Sequence, residues 1–238
     1  MVYNFATLVF VTEAPHGALT EGVEHMTKKT TKNRLDGIGT RMHVRLTLIE
    51  EALGMSPADP EVYSKFIASK APDADLTQEE IDAIEGMEQP EDQTTVFPRT
   101  EDGVPFCWDY QIKGFFKDAC GALRRVPGTR SSKLTAYKKV IDGTVFVGPR
   151  VIPFELPEGA ECGRCERPLR ASTAMGERVA LAASETVPAG TVLDFDVLVM
   201  NDKDAEVVRE WLDYGMFRGL FQWRNSGKGR FEWEEVDD

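Results

Sequence analysis

Residues 191–200, TVLDFDVLVM, followed at once by residues 202–214, most constrain what this chain can fold into. The first ten follow a tight Pro188-Ala189-Gly190 turn and are rich in Val, so they read as a strand. The next thirteen put Val207, Val208, Trp211 and Leu212 on one helical stripe, with Gly215 as the stop. Residues 219–223 and 229–233 then close the chain as strands. Upstream, residues 42–49 (MHVRLTLI) alternate, Val44, Leu46 and Leu48 facing one way and His43, Arg45 and Thr47 the other. A helix begins at Gly114, with Phe115, Ala119, Ala122 and Leu123 near one face and Cys120 in the core. Residues 140–154 carry β-branched alternation broken by Gly148 and Pro149, and residues 167–173 and 178–187 add strands. Strand, insertion, helix, strand, then strand, helix, strand is the order of an α+β fold. The expected form is a ferredoxin-like (RRM-like) βαββαβ core with an inserted helical lobe and β-hairpins.

Two regions stand apart from that core. Residues 1–41 carry His16, His25 and the run Lys28-Lys29-Thr30-Thr31-Lys32, and form an N-terminal extension expected to be disordered at its start. It reads as a basic arm, or its residues 3–11 as a first strand. Met26 and Met42 are alternative starts, which would make the first 25 residues a leader or an upstream translation artefact. The domain proper spans 42–238. Within it, residues 51–59 read as a loop through Gly54 and Pro57. Two helices follow: 60–68, with Asp59 as N-cap, and 76–87, with a Thr77/Glu80 capping box. They make an acidic helical insertion over about 54–95. Residues 96–97 and 104–108 flank the turn of 99–103, a hairpin.

The net charge of −12 argues against a generic nucleic-acid coat. Its distribution is uneven. Residues 73–92 hold nine acids and no Lys or Arg, whereas residues 111–150 hold nine bases against Asp118 and Asp142. The basic stretch is either a solvated face or a surface for phosphate. No apolar run approaches a membrane span and no signal peptide is evident, so a cytoplasmic protein with reduced thiols and no membrane partner is expected. Cys162-Gly163-Arg164-Cys165 is a single CxxC read as a turn. A structural zinc would need Cys107 and Cys120 to join it; the alternative is free thiols. No Ser-His-Asp set can be built on His16, His25 or His43, and Gly227-Lys228-Gly229 is no P-loop. No cofactor is expected.

Residues 219–231, GLFQWRNSGKGRF, combine bare backbone at Gly227 and Gly229 with Arg224, Lys228 and Arg230. Exposed amides and guanidinium groups suit phosphate, and Trp223 and Phe231 are either core or stacking surfaces for a base. The bland alternative is a hairpin turn with a basic tip. Lys113 and Lys117 fall at the expected start of the 114–125 helix, where an anion would sit well, with Arg124 and Arg125 at its other end. The expectation is a polyanion lying across the sheet where the two strand-helix units meet.

This loop, and Ile112-Lys113-Gly114-Phe115-Phe116-Lys117 ahead of it, resemble the C-terminal glycine-rich loop and the Lys-Gly helix start of the RAMP superfamily. These are repeat-associated proteins of CRISPR systems, and the nearest type is the backbone subunit that polymerises along guide RNA. The resemblance covers roughly residues 42–238. It departs where Asp109-Tyr110-Gln111 replaces the family's serines and where no motif marks a cleaving aspartate; Asp59, Asp73 and Asp75 are only loop aspartates. It implies a non-catalytic RNA-binding subunit in an antiviral, CRISPR-like ribonucleoprotein, forming homo-oligomers or joining other RAMP-type subunits along single-stranded RNA. A phage-encoded or stand-alone relative fits the departures. The alternatives are a metal-dependent endoribonuclease using Asp59, a protein-binding mimic or inhibitor presenting residues 73–92, and a single-stranded DNA-binding protein.

Overall fold

The computed structural model describes residues 37–58, 95–173 and 176–236, without the side chains of 169–180. The described residues belong to one compact unit, Gly37–Asp238. The expected helices at 60–68 and 76–87, the acidic run, Asp59, and residues 1–36 of the N-terminal extension lie outside the described residues.

In chain order the elements are β1 (Thr40–Leu48), β2 (Ala52–Leu53), β3 (Ser56–Pro57), β4 (Thr95–Val96), β5 (Phe106–Trp108), α1 (Asp109–Leu123) and a 3-10 turn (Ser131–Lys133). There follow α2 (Tyr137–Thr144), β6 (Val145–Gly148), β7 (Val151–Glu155), β8 (Gly163–Thr173), β9 (Gly176–Val187), β10 (Val192–Val199), α3 (Asp202–Arg218), a 3-10 turn (Arg224–Ser226) and β11 (Phe231–Glu235).

The main sheet runs β11-β1-β10-β7-β5, with β6 also on β10, and its neighbours are antiparallel. Taking β1, α1, β6/β7, β10, α3 and β11 as the six units gives βαββαβ with spatial order 4-1-3-2, which is the ferredoxin-like α+β fold. Strand β1 shows why the sequence settles there. Met42, Val44, Leu46 and Leu48 are each at most 1% exposed, while the residues between them are not buried. That alternation commits one face to α1 and α3, and a one-residue slip would turn every apolar side chain to water. A second sheet, β2-β9-β4-β3 with β8 on β9, is joined to the first through Phe97, whose ring meets Phe154 and Phe221 edge-on at 5.0 and 5.4 Å.

Several boundaries differ from expectation, each for a visible reason. Helix α1 starts at Asp109, five residues ahead of Gly114, because Gln111 Oε1 accepts from the Trp108 N–H at 2.9 Å and closes the first turn. Val140 is helical rather than extended. Helix α3 runs past Gly215 to Arg218; a Cβ at Gly215 would overlap the Phe231 ring, so this glycine is a packing site rather than a stop. Residues 219–223 form no strand. The CxxC is not a turn: β8 begins at Gly163 and Cys165 pairs with Ser184. Part of the expected loop at 51–59 pairs as β2 and β3. The hairpin turn at 99–103 exists, closed by Thr100 N–H to Val104 O at 2.9 Å, but its flanks diverge to different sheets.

Candidate nucleic-acid interface

The glycine-rich loop is shaped by approach to its own chain. Gly219, Gly227 and Gly229 all have positive φ (75°, 81° and 68°), which glycine adopts without steric cost. A Cβ at Gly229 would collide with the Leu220 carbonyl, and one at Gly219 with the Lys228 carbonyl. Leu220 N–H donates to Gly229 O at 2.8 Å and Gly229 N–H to Glu51 O at 2.8 Å, so the two arms and the end of β1 are laced together. The bare backbone that suggested a ligand is used internally.

The loop's cations are matched in the same way. Arg224 Nη1 donates to Asp118 Oδ2 at 2.9 Å, and Arg218 Nε to the same atom at 2.8 Å. Lys228 pairs with Glu51, and Arg230 Nη2 donates to Glu50 Oε1 at 2.9 Å. Glu51 raises the Lys228 pKa above its ordinary value, mainly through the hydrogen bond. Burial lowers that of Arg224 against the pull of Asp118.

On α1, Lys113 and Lys117 are mid-helix, not at a helix start. The first turn carries Asp109, whose Oδ1 accepts from Tyr110 N–H at 2.8 Å, so the expected anion site there is replaced by the chain's own carboxylate. Lys117 pairs with Asp142 at 2.5 Å. Lys113 lies over the Phe146 ring and donates to Asp142 O at 3.2 Å; burial lowers its pKa.

A different set of cations remains exposed. Arg124 and Arg125 directly follow α1, with Lys133, Lys138 and Lys139 further on; all five are exposed and none has an ion pair among the described residues. Arg124 lies 5.2 Å over the Tyr137 ring, which brings the end of α1 against the start of α2 and gathers the group. The intervening turn is anchored by Glu210 on α3. This carboxylate accepts from Arg130 N (2.6 Å), Ser131 N (3.0 Å) and Ser131 Oγ (2.6 Å). Burial would raise the Glu210 pKa, but these bonds outweigh it and hold it below 4.5. Lys133, Lys138, Lys139 and Glu210 had no place among the expected site residues; the base-rich run at 111–150 was the signal for the three lysines.

The open face of the sheet does not fit a polyanion. Alternation places Glu155, Asp194, Asp196, Glu232 and Glu234 there, against Arg41, His43 and Arg45. Arg45 donates to both Asp194 oxygens at 3.0 Å, and His43 Nδ1 lies 2.8 Å from Asp196 Oδ1. The expectation of a strand lying across the sheet is therefore corrected: carboxylates occupy that face. Among the described residues no group of three His, Cys, Asp or Glu could hold a metal ion, and the four cysteines do not gather; Cys107 and Cys120 are buried in the core. No described helix is long and apolar enough to cross a membrane.

No family model matches the chain, and no curated protein matches it. Among solved structures, the Type III-B Cmr-beta bound to cognate target RNA is similar. Identity is 10% and the TM-score 0.52, over 85% of this chain and 61% of that one. The likeness is one of fold. The chain thus spans 61% of the length of the chain it matches. A chain of a Type IV-B CRISPR Complex matches at 13% identity and a TM-score of 0.41, over 83% of this chain and 90% of that one.

Proposed function

We propose that this protein is a non-catalytic, RNA-binding subunit of a CRISPR-type ribonucleoprotein, of the backbone type that oligomerises along single-stranded RNA. One observation carries the reading: in a chain of net charge −12, five exposed cations with no ion pair among the described residues collect where α1 meets α2. A ferredoxin-like fold shared with a chain of Cmr-beta, itself solved with target RNA, supports it, as does the sequence resemblance to backbone subunits. Arg124, Arg125, Lys133, Lys138 and Lys139 would hold phosphates. Lys113, Lys117, Arg224, Lys228 and Arg230 would join only by giving up their present partners, and Gly227 and Gly229 serve by fixing the loop.

The carboxylate-rich sheet face favours a second reading, a protein-binding module that engages a basic partner through that face. Purification with and without ribonuclease separates the two, by absorbance ratio and light-scattering mass. Bound RNA with a ladder of masses that collapses on digestion is expected. A clean monomer that ignores RNA and single-stranded DNA would overturn the first reading and leave the second.

A further inference from the structure

We infer that Trp223 is a stacking platform for one unpaired nucleobase, held in place by the buried guanidinium of Arg167; this rests on the RNA-binding reading above. Phe221 and Trp223 have φ of 62° and 54°, a left-handed conformation that is strained for bulky residues. Such strain persists only where the surroundings over-determine it, and it gathers at functional sites. Here they do. Phe221 is wedged against Phe97 and Phe154, with ring centroids 5.4 and 5.9 Å away. Gln222 accepts from Arg167 Nη2 at 2.7 Å and donates to Gly54 O at 2.7 Å. Trp223 O accepts from Ser226 N–H at 2.9 Å. The outcome is two aromatics two residues apart sent to opposite fates: Phe221 is 7% exposed and Trp223 is 39% exposed.

Arg167 makes the exposed indole more than a stray surface residue. It is 8% exposed, fixed by Ser184 Oγ at 3.1 Å and by Gln222, and its Cζ lies 5.4 Å from the Trp223 ring centroid. A cation held against one face of the ring orients it without filling the other. A preset aromatic face takes any base, because every base has a π-face. Backbone contacts are within reach: Arg224 is the next residue, and its partner Asp118 lies on α1 six residues before Arg124, about 9 Å along the helix. Phe231, the other aromatic flank of the loop, is fully buried and takes no part.

The test compares a short single-stranded RNA with an abasic ribose-phosphate strand of equal length, on the full chain. Trp223→Ala should lose roughly 5- to 100-fold in affinity for the RNA and nothing for the abasic strand. Trp223→Phe should keep most of the RNA affinity. Binding should also quench part of the wild-type indole emission, and that quench should vanish in Trp223→Phe, a readout that survives if the alanine variant folds poorly. Equal loss on both strands, or a quench that persists in Trp223→Phe, overturns the inference. Wild-type protein that binds the RNA with a normal salt slope while Trp223→Ala binds it equally well sinks this inference alone. Wild-type protein that binds neither strand sinks the RNA-binding reading with it.

Discussion

The glycine-rich loop and the segment from Arg124 to Lys139 are both rich in cations, yet the fold treats them oppositely. In the loop each cation meets a carboxylate: Arg224 has Asp118, Lys228 has Glu51 and Arg230 has Glu50. In the second segment Arg130 alone meets a carboxylate, Glu206 at 3.4 Å, while Glu210 binds backbone amides and the Ser131 hydroxyl, anchoring the turn and leaving the neighbouring lysines without an ion pair among the described residues. Cation count therefore does not mark a phosphate surface; the whereabouts of the nearest carboxylates does. The sharpest break of this comparison is reversal of Arg124, Arg125, Lys133, Lys138 and Lys139 to Glu. Single-stranded RNA affinity is expected to fall by at least about 100-fold at 0.1 M salt, and the log-log salt slope to flatten by about 3. A slope that stays at the wild-type value would remove this segment from the interface.

The second test acts on the loop's backbone. Gly229→Ala puts a Cβ into the Leu220 carbonyl at a φ of 68°, so it is expected to cost about 2–3 kcal/mol. The melting temperature should drop by roughly 4–12 °C. RNA affinity measured below the transition should change little, because the loop's bare backbone serves its own chain. Unchanged stability with lost RNA binding would reverse the assignment and make the loop the contact.

Next in size is Glu210→Ala. Three hydrogen bonds to a carboxylate are lost, and about 2 kcal/mol of stability at neutral pH should go with them. The native Glu210 pKa lies below its ordinary value of 4.5, so its contribution is present above that value and lost as pH falls through the native one. The difference between wild type and variant should therefore shrink in denaturant melts taken below pH 4.5. A constant difference would mean that the carboxylate's charge is not what holds the turn.

Much of this was open to sequence reading, and the misses share a cause. Alternation in residues 42–49 and the strand-helix junction at 200–202 are local patterns, and they led to the ferredoxin-like α+β fold. The base-rich stretch was also visible. What could not be read was pairing over long separations. Glu50 and Glu51 reach cations 180 and 177 residues away, and Asp118 one 106 away. Gly215 looked like a helix stop because nothing nearby reveals the Phe231 ring that occupies its missing side chain. Trp108 is an unusual N-cap, so the true start of α1 was hidden behind Gly114, and Lys113 and Lys117 were placed at a helix end they do not occupy. Arg167 carried no signal, since its partners Ser184 and Gln222 come from another strand and another loop.

The smallest expected effect decides whether the loop's ion pairs are structural. Lys228 and Glu51 are each partly exposed, so the pair is worth about 1 kcal/mol or less. Lys228→Glu sets two carboxylates side by side next to Glu50 and should destabilise by a similar amount. Combining it with Glu51→Lys restores opposite charges in swapped positions and should recover most of the loss, a coupling that a double-mutant cycle isolates. The same pair of variants speaks to function. If Lys228 only ties the loop to the end of β1, the swapped protein should bind RNA with the wild-type salt slope, because net charge and pairing are both unchanged. A swap that restores stability while still flattening the slope would mean that Lys228 itself leaves Glu51 for phosphate, and the two basic regions would then differ in degree of masking rather than in role.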